Sequence, residues 1–412
     1  MRREYTSPQG KSLENRNNRN WENFTMQNRR AFLKTAGAAA ALSATCGKMT
    51  WASEFSPVWE SSDKAAQFLR DIVAIDSLNA NFEQTATRPE MWDEYYTRAL
   101  DAGITATGVT TAQGINDFDT FARETSYNLR KIAADDRFMV VRTAGDIQRA
   151  QDAGKYGFFW NSQSAEILNN QPDIYMPVAK SMGLGTMGLA YNERQRAGDG
   201  NFVLNPGPIS AYGKTVVDAM QRHGVLVDTS HASEPTALST IEYAKQMRPD
   251  LPVIETHSSV HALYSGYPEG EIRLRTSSDE RIQAVADTGG VVSLCMLPFI
   301  MISPQTELTR PQDVVDRIDY MRDLTSIDNV GLSSDDGFDW SKIYEFGKSN
   351  PEQFDDGGLS AAVNKLATTG IGEAAKIYAA IIDEMWLRGY SDEDVKKVMG
   401  GNFTRIFEQV WG

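Results

Sequence analysis

Short apolar runs recur along the chain, each followed by turn residues and then by a stretch with helical spacing. They fall at 72–75, 104–109, 156–160, 184–191, 225–227, 252–254, 290–297 and 330–332. The runs are nearly continuous rather than alternating, which is the pattern of strands covered on both faces, as in a parallel sheet between helices. Stretches such as 214–222 and 279–287 supply the helices. Eight strand–helix units predict an α/β fold of the (β/α)8 TIM-barrel type; a doubly wound open sheet is the alternative, and length and strand count favour the barrel. Residues 138–141 are a further apolar run and disturb the count. Segments 303–320 and 338–360 read as insertions between strand and helix, and 370–411 as helical closing segments.

The first 52 residues do not belong to this pattern. Arg29 and Arg30 precede Ala31, Phe32, Leu33 and Lys34, and then a small, weakly apolar run of about ten residues. The order RR-x-F-L-K resembles a twin-arginine export signal, which predicts a periplasmic or otherwise exported protein translocated already folded. No apolar span long enough to cross a bilayer follows. The expected division is therefore a disordered leader, 1–52, and one catalytic barrel domain, 53–412. The leader carries nine Lys/Arg and three Asp/Glu, leaving 32 basic against 52 acidic residues beyond it. Such an acidic surface repels nucleic acid and anionic lipid, so small molecules are the expected partners. With two cysteines, a disulfide scaffold is excluded, and Cys295 in its apolar run reads as a buried structural thiol.

Polar residues follow the strands directly: Asp228-Thr229-Ser230-His231, Glu255-Thr256-His257-Ser258-Ser259 and Ser333-Ser334-Asp335-Asp336-Gly337. Barrels keep their active sites at strand C-termini. His231 and His257, two of only four histidines, end consecutive strands, which sets their imidazoles within reach of one divalent ion. A single histidine there reads as structural; two on adjacent strands with a following aspartate read as a site. His261 could share a helical face with His257, whereas His223 before Gly224 suits a helix C-terminus. Trp160 and Trp340 follow strands closely enough to line a pocket. The pairs Asp335-Asp336 and Asp355-Asp356 read as solvated loops rather than calcium sites.

These residues resemble the membrane or renal dipeptidases, a family of zinc peptidases with a (β/α)8 barrel. VDTSH at 227–231, THS at 256–258, the run from Leu274 to Val292, VGLSSDDG at 330–337, GNFTRIF at 401–407 and YNERQRAGDG at 191–200 carry the resemblance. It implies that His231 and His257 ligate one zinc, that Asp335 ligates the other and accepts the proton of the catalytic water, and that Arg275 holds the substrate carboxylate. Tyr191 stands where many members have a histidine that polarises the scissile carbonyl, a role a phenol can share by donating a hydrogen bond. The family also implies pairing into homodimers.

Three positions depart from the family pattern. Its H-x-D on the first strand is replaced by Leu78 and Ala80, and its bridging glutamate by the neutral stretch Asn161-Ser162-Gln163, with Glu166 several residues away. A bridging carboxylate is what holds two cations close together, so one zinc is expected and a second is not. The reading is a dipeptidase-like hydrolase using one metal on His231 and His257, a third ligand from Asp335 or Asn161, Asp335 as base and Arg275 as the carboxylate dock. The alternatives are a pseudoenzyme that binds a small peptide or amino acid derivative without cleaving it, and an amide or lactone hydrolase of the same barrel type.

Overall fold

The computed structural model describes residues 59–80, 89–264, 275–301, 309–337 and 374–412. The chain divides into two units, 1–56 and 57–412. The twin arginines and the rest of the expected leader, the expected insertion at 338–360 and Trp340 lie outside the described residues.

The second unit alternates helix and strand. Helix α1 (Asp63–Asp71) leads into β1 (Ile75–Asn79), α2 (Pro89–Ala102), β2 (Ala106–Ala112), α3 (Phe118–Ala133), β3 (Phe138–Val140), α4 (Ala144–Ala153) and β4 (Tyr156–Ser162). Next come α5 (Pro172–Met182), β5 (Leu184–Gly188), α6 (Ala211–His223), β6 (Leu226–Asp228), α7 (Glu234–Met247), β7 (Val253–Ser258), α8 (Asp279–Ala286) and β8 (Val292–Cys295). Then follow α9 (Pro298–Met301), α10 (Pro311–Leu324), β9 (Val330–Ser333), α11 (Ala374–Leu387), α12 (Asp392–Lys396) and α13 (Asn402–Trp411). Local chemistry sets many boundaries. Serines 62, 210 and 278 cap α1, α6 and α8 by accepting a backbone N–H, and Gly183 and Gly224 end α5 and α6 at φ 108° and 66°, which side-chain-bearing residues rarely adopt.

Neighbouring strands are parallel, in the order β1-β2-β4-β5-β6-β7-β8-β9. The last returns beside the first: the Asp335 amide donates to the Leu78 carbonyl (3.0 Å) and the Ala80 amide to the Asp336 carbonyl (2.8 Å). The result is a nearly closed eight-stranded barrel ringed by helices, the expected (β/α)8 fold. Strand β3 accounts for the surplus run. It pairs with the start of β4, Phe138 opposite Tyr156, and β5 takes over the same edge of β4 from Trp160 onward.

Two expectations need correction. The first strand begins where the run 72–75 ends, because Asp76, Ser77 and Asn79 are polar yet buried and extend it into the barrel. The segment 303–320 is not all insertion. Pro311 starts a barrel helix whose Val314, Val315, Ile318 and Met321 recur at helical spacing on its buried face.

The floor of the barrel is apolar. Ile75, Ala106, Phe159, Leu226, Ile254 and Val291 pack there with Phe403, Ile406 and Phe407 of α13. Phe407 stacks on Trp411 with centroids 3.9 Å apart and meets Phe159 edge-on at 5.3 Å. Gly185 makes room for Trp411, since a Cβ there would come within 2.7 Å of its ring. The polar residues are left to the opposite end.

Candidate active site

Strand β6 ends at Asp228 and turns through Thr229 and Ser230 to His231, while β7 carries Glu255, Thr256, His257 and Ser258. The two strands are paired neighbours, Asp228 opposite Ile254. Nε2 of His231 lies 2.8 Å from Nε2 of His257, with the ring centroids 4.8 Å apart. Tyr191, after β5, stacks on the His231 ring at 4.2 Å. The convergence expected of the two histidines is present.

Each imidazole is held through Nδ1. Asn192 Oδ1 is 2.7 Å from Nδ1 of His231; an amide oxygen only accepts, so this Nδ1 carries the hydrogen. Nδ1 of His257 is 2.8 Å from Thr256 Oγ1, and the Thr256 hydroxyl donates to Asp228. Both Nε2 lone pairs therefore face the gap between the rings. Burial first, and the nearby Arg275 guanidinium second, hold both imidazoles well below the usual histidine range. Neutral imidazoles with Nε2 lone pairs turned to one gap are the form in which histidine ligates a metal. Tetrahedral zinc with bonds near 2.0–2.1 Å would set two ligand nitrogens about 3.3 Å apart, a few tenths of an ångström wider than the present gap.

Arg275 is the shared electrostatic neighbour of the site. It donates to the Ser230 carbonyl at 2.9 Å, and its charge acts on Tyr191, His231, His257 and Asp335. Asp335 follows β9 with φ 47°, a conformation that costs a non-glycine residue energy and that the bond to Leu78 maintains. Burial raises its carboxyl to about 7, against the opposing pull of Arg275. The Cys295 thiol donates to Asp335 Oδ2 over 3.7 Å and is otherwise the buried structural thiol expected. A carboxyl poised near neutrality beside a guanidinium has the properties of a general base.

Several supporting residues were not singled out from sequence. Arg281, on α8, is almost fully buried and pairs with the Glu255 carboxylate. It also donates to the carbonyls of Thr229 and, at 3.1 Å, Ala232, so it grips the turn that carries His231. Ser277 completes the cluster by donating to Glu255 at 2.5 Å. A glutamate directly after the apolar run 252–254 was the available signal, since buried carboxylates require partners.

Residues 68–347 match the membrane dipeptidase family (peptidase family M19), which is more than half of the chain. The chain belongs to the membrane dipeptidase family. Among curated relatives of that family, dipeptidase tcpJ of Claviceps purpurea is 24% identical over 279 residues, covering 67% of this chain and 56% of its own length. Dipeptidase 3 of Rattus norvegicus is 22% identical over 210 residues, 51% of this chain and 35% of its own. The chain thus spans between about a third and three fifths of the curated relatives it matches. Among solved structures, an amidohydrolase from Pseudomonas aeruginosa superposes with TM-score 0.69 at 24% identity, covering 84% of this chain and 99% of that one. A metallopeptidase from Rhodobacter sphaeroides holding a phosphinate mimic of L-Ala-D-Ala gives 0.63 at 16% identity, with 82% and 99% covered.

Within this membrane dipeptidase barrel, the departures from the family pattern keep their places. Leu78, on β1, is fully buried, and Ala80 follows that strand. Asn161 ends β4, where its Nδ2 donates to Thr186 Oγ1 at 2.7 Å and its Oδ1 is buried without a hydrogen-bond partner. Glu166 is turned away in a pair with Arg196. Among the described residues, no group of three or more His, Cys, Asp or Glu is placed to hold a metal ion. The two imidazoles are donors of the kind that suits a divalent cation. Trp160 does not line the site; it is buried between β4 and α5 and donates to the Met182 carbonyl at 2.8 Å. His261 heads a 3-10 turn and meets Thr276 at 2.8 Å, so it does not share a helical face with His257. His223 ends α6, as its spacing implied.

Proposed function

We propose that this chain is a metal-dependent hydrolase of dipeptides or related small amides, working with one divalent cation, zinc in the first instance. The observation that carries the reading is the 2.8 Å approach of the two Nε2 atoms in a setting that keeps both imidazoles neutral. His231 and His257 would hold the cation, with a further ligand from Asp335 or from Asn161, whose buried Oδ1 lacks a partner. When bound, the ion supplies an acidified water and polarises the scissile carbonyl. The chain's own groups do the rest. Asp335 accepts the proton from the attacking water and returns it to the leaving amine. Arg275 docks the substrate's terminal carboxylate, and Tyr191, flat against His231, is the candidate donor to the carbonyl oxygen. The RR-x-F-L-K leader supports export in the folded state, which suits a metal acquired before translocation.

One observation favours a second reading. The described residues hold no three-ligand cluster, and Leu78, Ala80 and Asn161 stand where the family pattern has a histidine and two carboxylates. A barrel that binds a small peptide and does not cleave it is consistent with those changes. The deciding experiment is metal analysis of the purified full chain combined with turnover of a dipeptide panel. Absence of bound metal, together with hydrolysis no faster than in a His257→Ala control, rejects the first reading; metal-independent binding of a dipeptide selects the second.

A further inference from the structure

Beneath the two imidazoles, Asp228 is fully surrounded and carries an asymmetric set of bonds. Its Oδ1 accepts the Ser230 N–H (3.0 Å), the Ser230 hydroxyl (2.5 Å) and the Thr256 N–H (3.1 Å). Its Oδ2 accepts the Thr256 hydroxyl at 2.5 Å. A threonine hydroxyl has a single hydrogen. With that hydrogen committed to Asp228, Thr256 Oγ1 presents only lone pairs to Nδ1 of His257, 2.8 Å away. We propose that Asp228 and Thr256 are positioning residues that lock His257 in the Nδ1–H tautomer and so aim its Nε2 lone pair at the cation. Neither touches substrate or metal. The direction of one hydroxyl, set by a carboxylate two bonds away, decides whether the second imidazole is a ligand at all.

The asymmetry makes the device testable with an isosteric change. In Asp228→Asn, the amide oxygen takes the three-donor side and the amide nitrogen falls at the Oδ2 position, where it donates to Thr256 Oγ1. The acceptors left to the hydroxyl are Nδ1 of His257 at 2.8 Å and Ser230 Oγ at 3.3 Å, and turning to the nearer one moves the imidazole hydrogen to Nε2 and closes the ligand. Thr256→Val removes the bridge, and Thr256→Ser keeps it. The affinity part of the idea rests on the proposed metal-dependent function, whereas the tautomer part does not.

The measurement is long-range proton–nitrogen correlation on the metal-free, nitrogen-15-labelled full chain, whose four histidines can be assigned by single substitutions. Zinc affinity is measured in parallel by competition with a chromophoric chelator. Wild type and Thr256→Ser should show Nδ1–H on His257. Asp228→Asn should show Nε2–H, Thr256→Val should lose the Nδ1–H preference, and both should bind zinc roughly 10- to 100-fold more weakly, the range for lost partners behind a metal ligand. An Nδ1–H signal retained in folded Asp228→Asn overturns the proposal, and so does weakened zinc binding in either variant with an unchanged tautomer. If the tautomers shift as described but wild type binds no zinc, the relay stands and the metal-dependent function falls.

Discussion

Ser334 gives both of its donors to Asp76: the backbone N–H at 2.7 Å and the hydroxyl at 2.5 Å, one to each carboxylate oxygen. This double bond across the β9–β1 seam closes the barrel directly beside Asp335. Ser334→Ala leaves a buried carboxylate short of one partner, and a loss of about 1–3 kcal/mol is expected. Chemical denaturation of the full chain checks it, and an unchanged midpoint would show that the seam is held elsewhere.

The pH dependence of stability follows from the same corner of the fold. Burial raises both Asp76 and Asp335 from 3.8 to about 7. The folded state therefore holds more protons than the unfolded state between these values. The stabilisation from the protonated forms is fully present below pH 4 and is lost as pH rises through about 7. Metal-free protein should show a denaturation midpoint that declines between pH 4.5 and 7.5, and Asp76→Asn should flatten part of that decline.

Activity should run the other way. As the base, Asp335 must be ionised, so kcat/KM on a dipeptide is expected to rise with pH and level off above about 7. Asp335→Asn should lower kcat by roughly 10²- to 10⁴-fold without loss of stability at neutral pH, since it also removes the cost of ionising a buried carboxyl. A rate that is flat from pH 5 to 9 argues against this assignment.

Arg275 offers a test of substrate recognition. Charge-assisted bonds of about 1.5–3 kcal/mol correspond to roughly 10- to 100-fold in binding. Arg275→Ala should raise KM by that factor for dipeptides with a free carboxylate and leave C-terminally amidated analogues nearly untouched. Equal effects on the two substrate sets would assign the guanidinium to shaping the turn at Ser230 instead.

The buried pair of Arg281 and Glu255 makes a separate prediction. Removing one partner strands a buried charge, so Arg281→Met should cost about 3–5 kcal/mol, while Arg281→Met with Glu255→Leu should recover much of that loss. A double variant no more stable than the single would instead assign the cost to the carbonyls of Thr229 and Ala232.

How much of this was legible beforehand depended on the residue. The apolar runs located the ring because barrel strands lie between a packed interior and an outer layer of helices, yet Val253–Ser258 runs past its run at 252–254 into Glu255, Thr256 and His257. Those side chains are tolerated inside because each finds a partner, and partners are a tertiary fact. His231 and His257 were readable because adjacent strands must bring their ends together. Asn192 was not, since it comes from the loop after β5, and nothing in spacing says that this loop returns to His231. Trp160 was misplaced for a related reason: a strand side chain faces either the barrel or its helices, and Gly183, leaving room beside the indole, draws it to the helical side.

The apolar floor has a consequence for biosynthesis. Phe403, Phe407 and Trp411 are translated after every strand they support, so a ribosome paused before them holds a cylinder with Phe159 and Gly185 open to water from below. Withholding these rings removes about 1.5–3 kcal/mol of burial apiece. A barrel lacking these rings is therefore open at one end, and that opening closes only when the last of them has joined the fold.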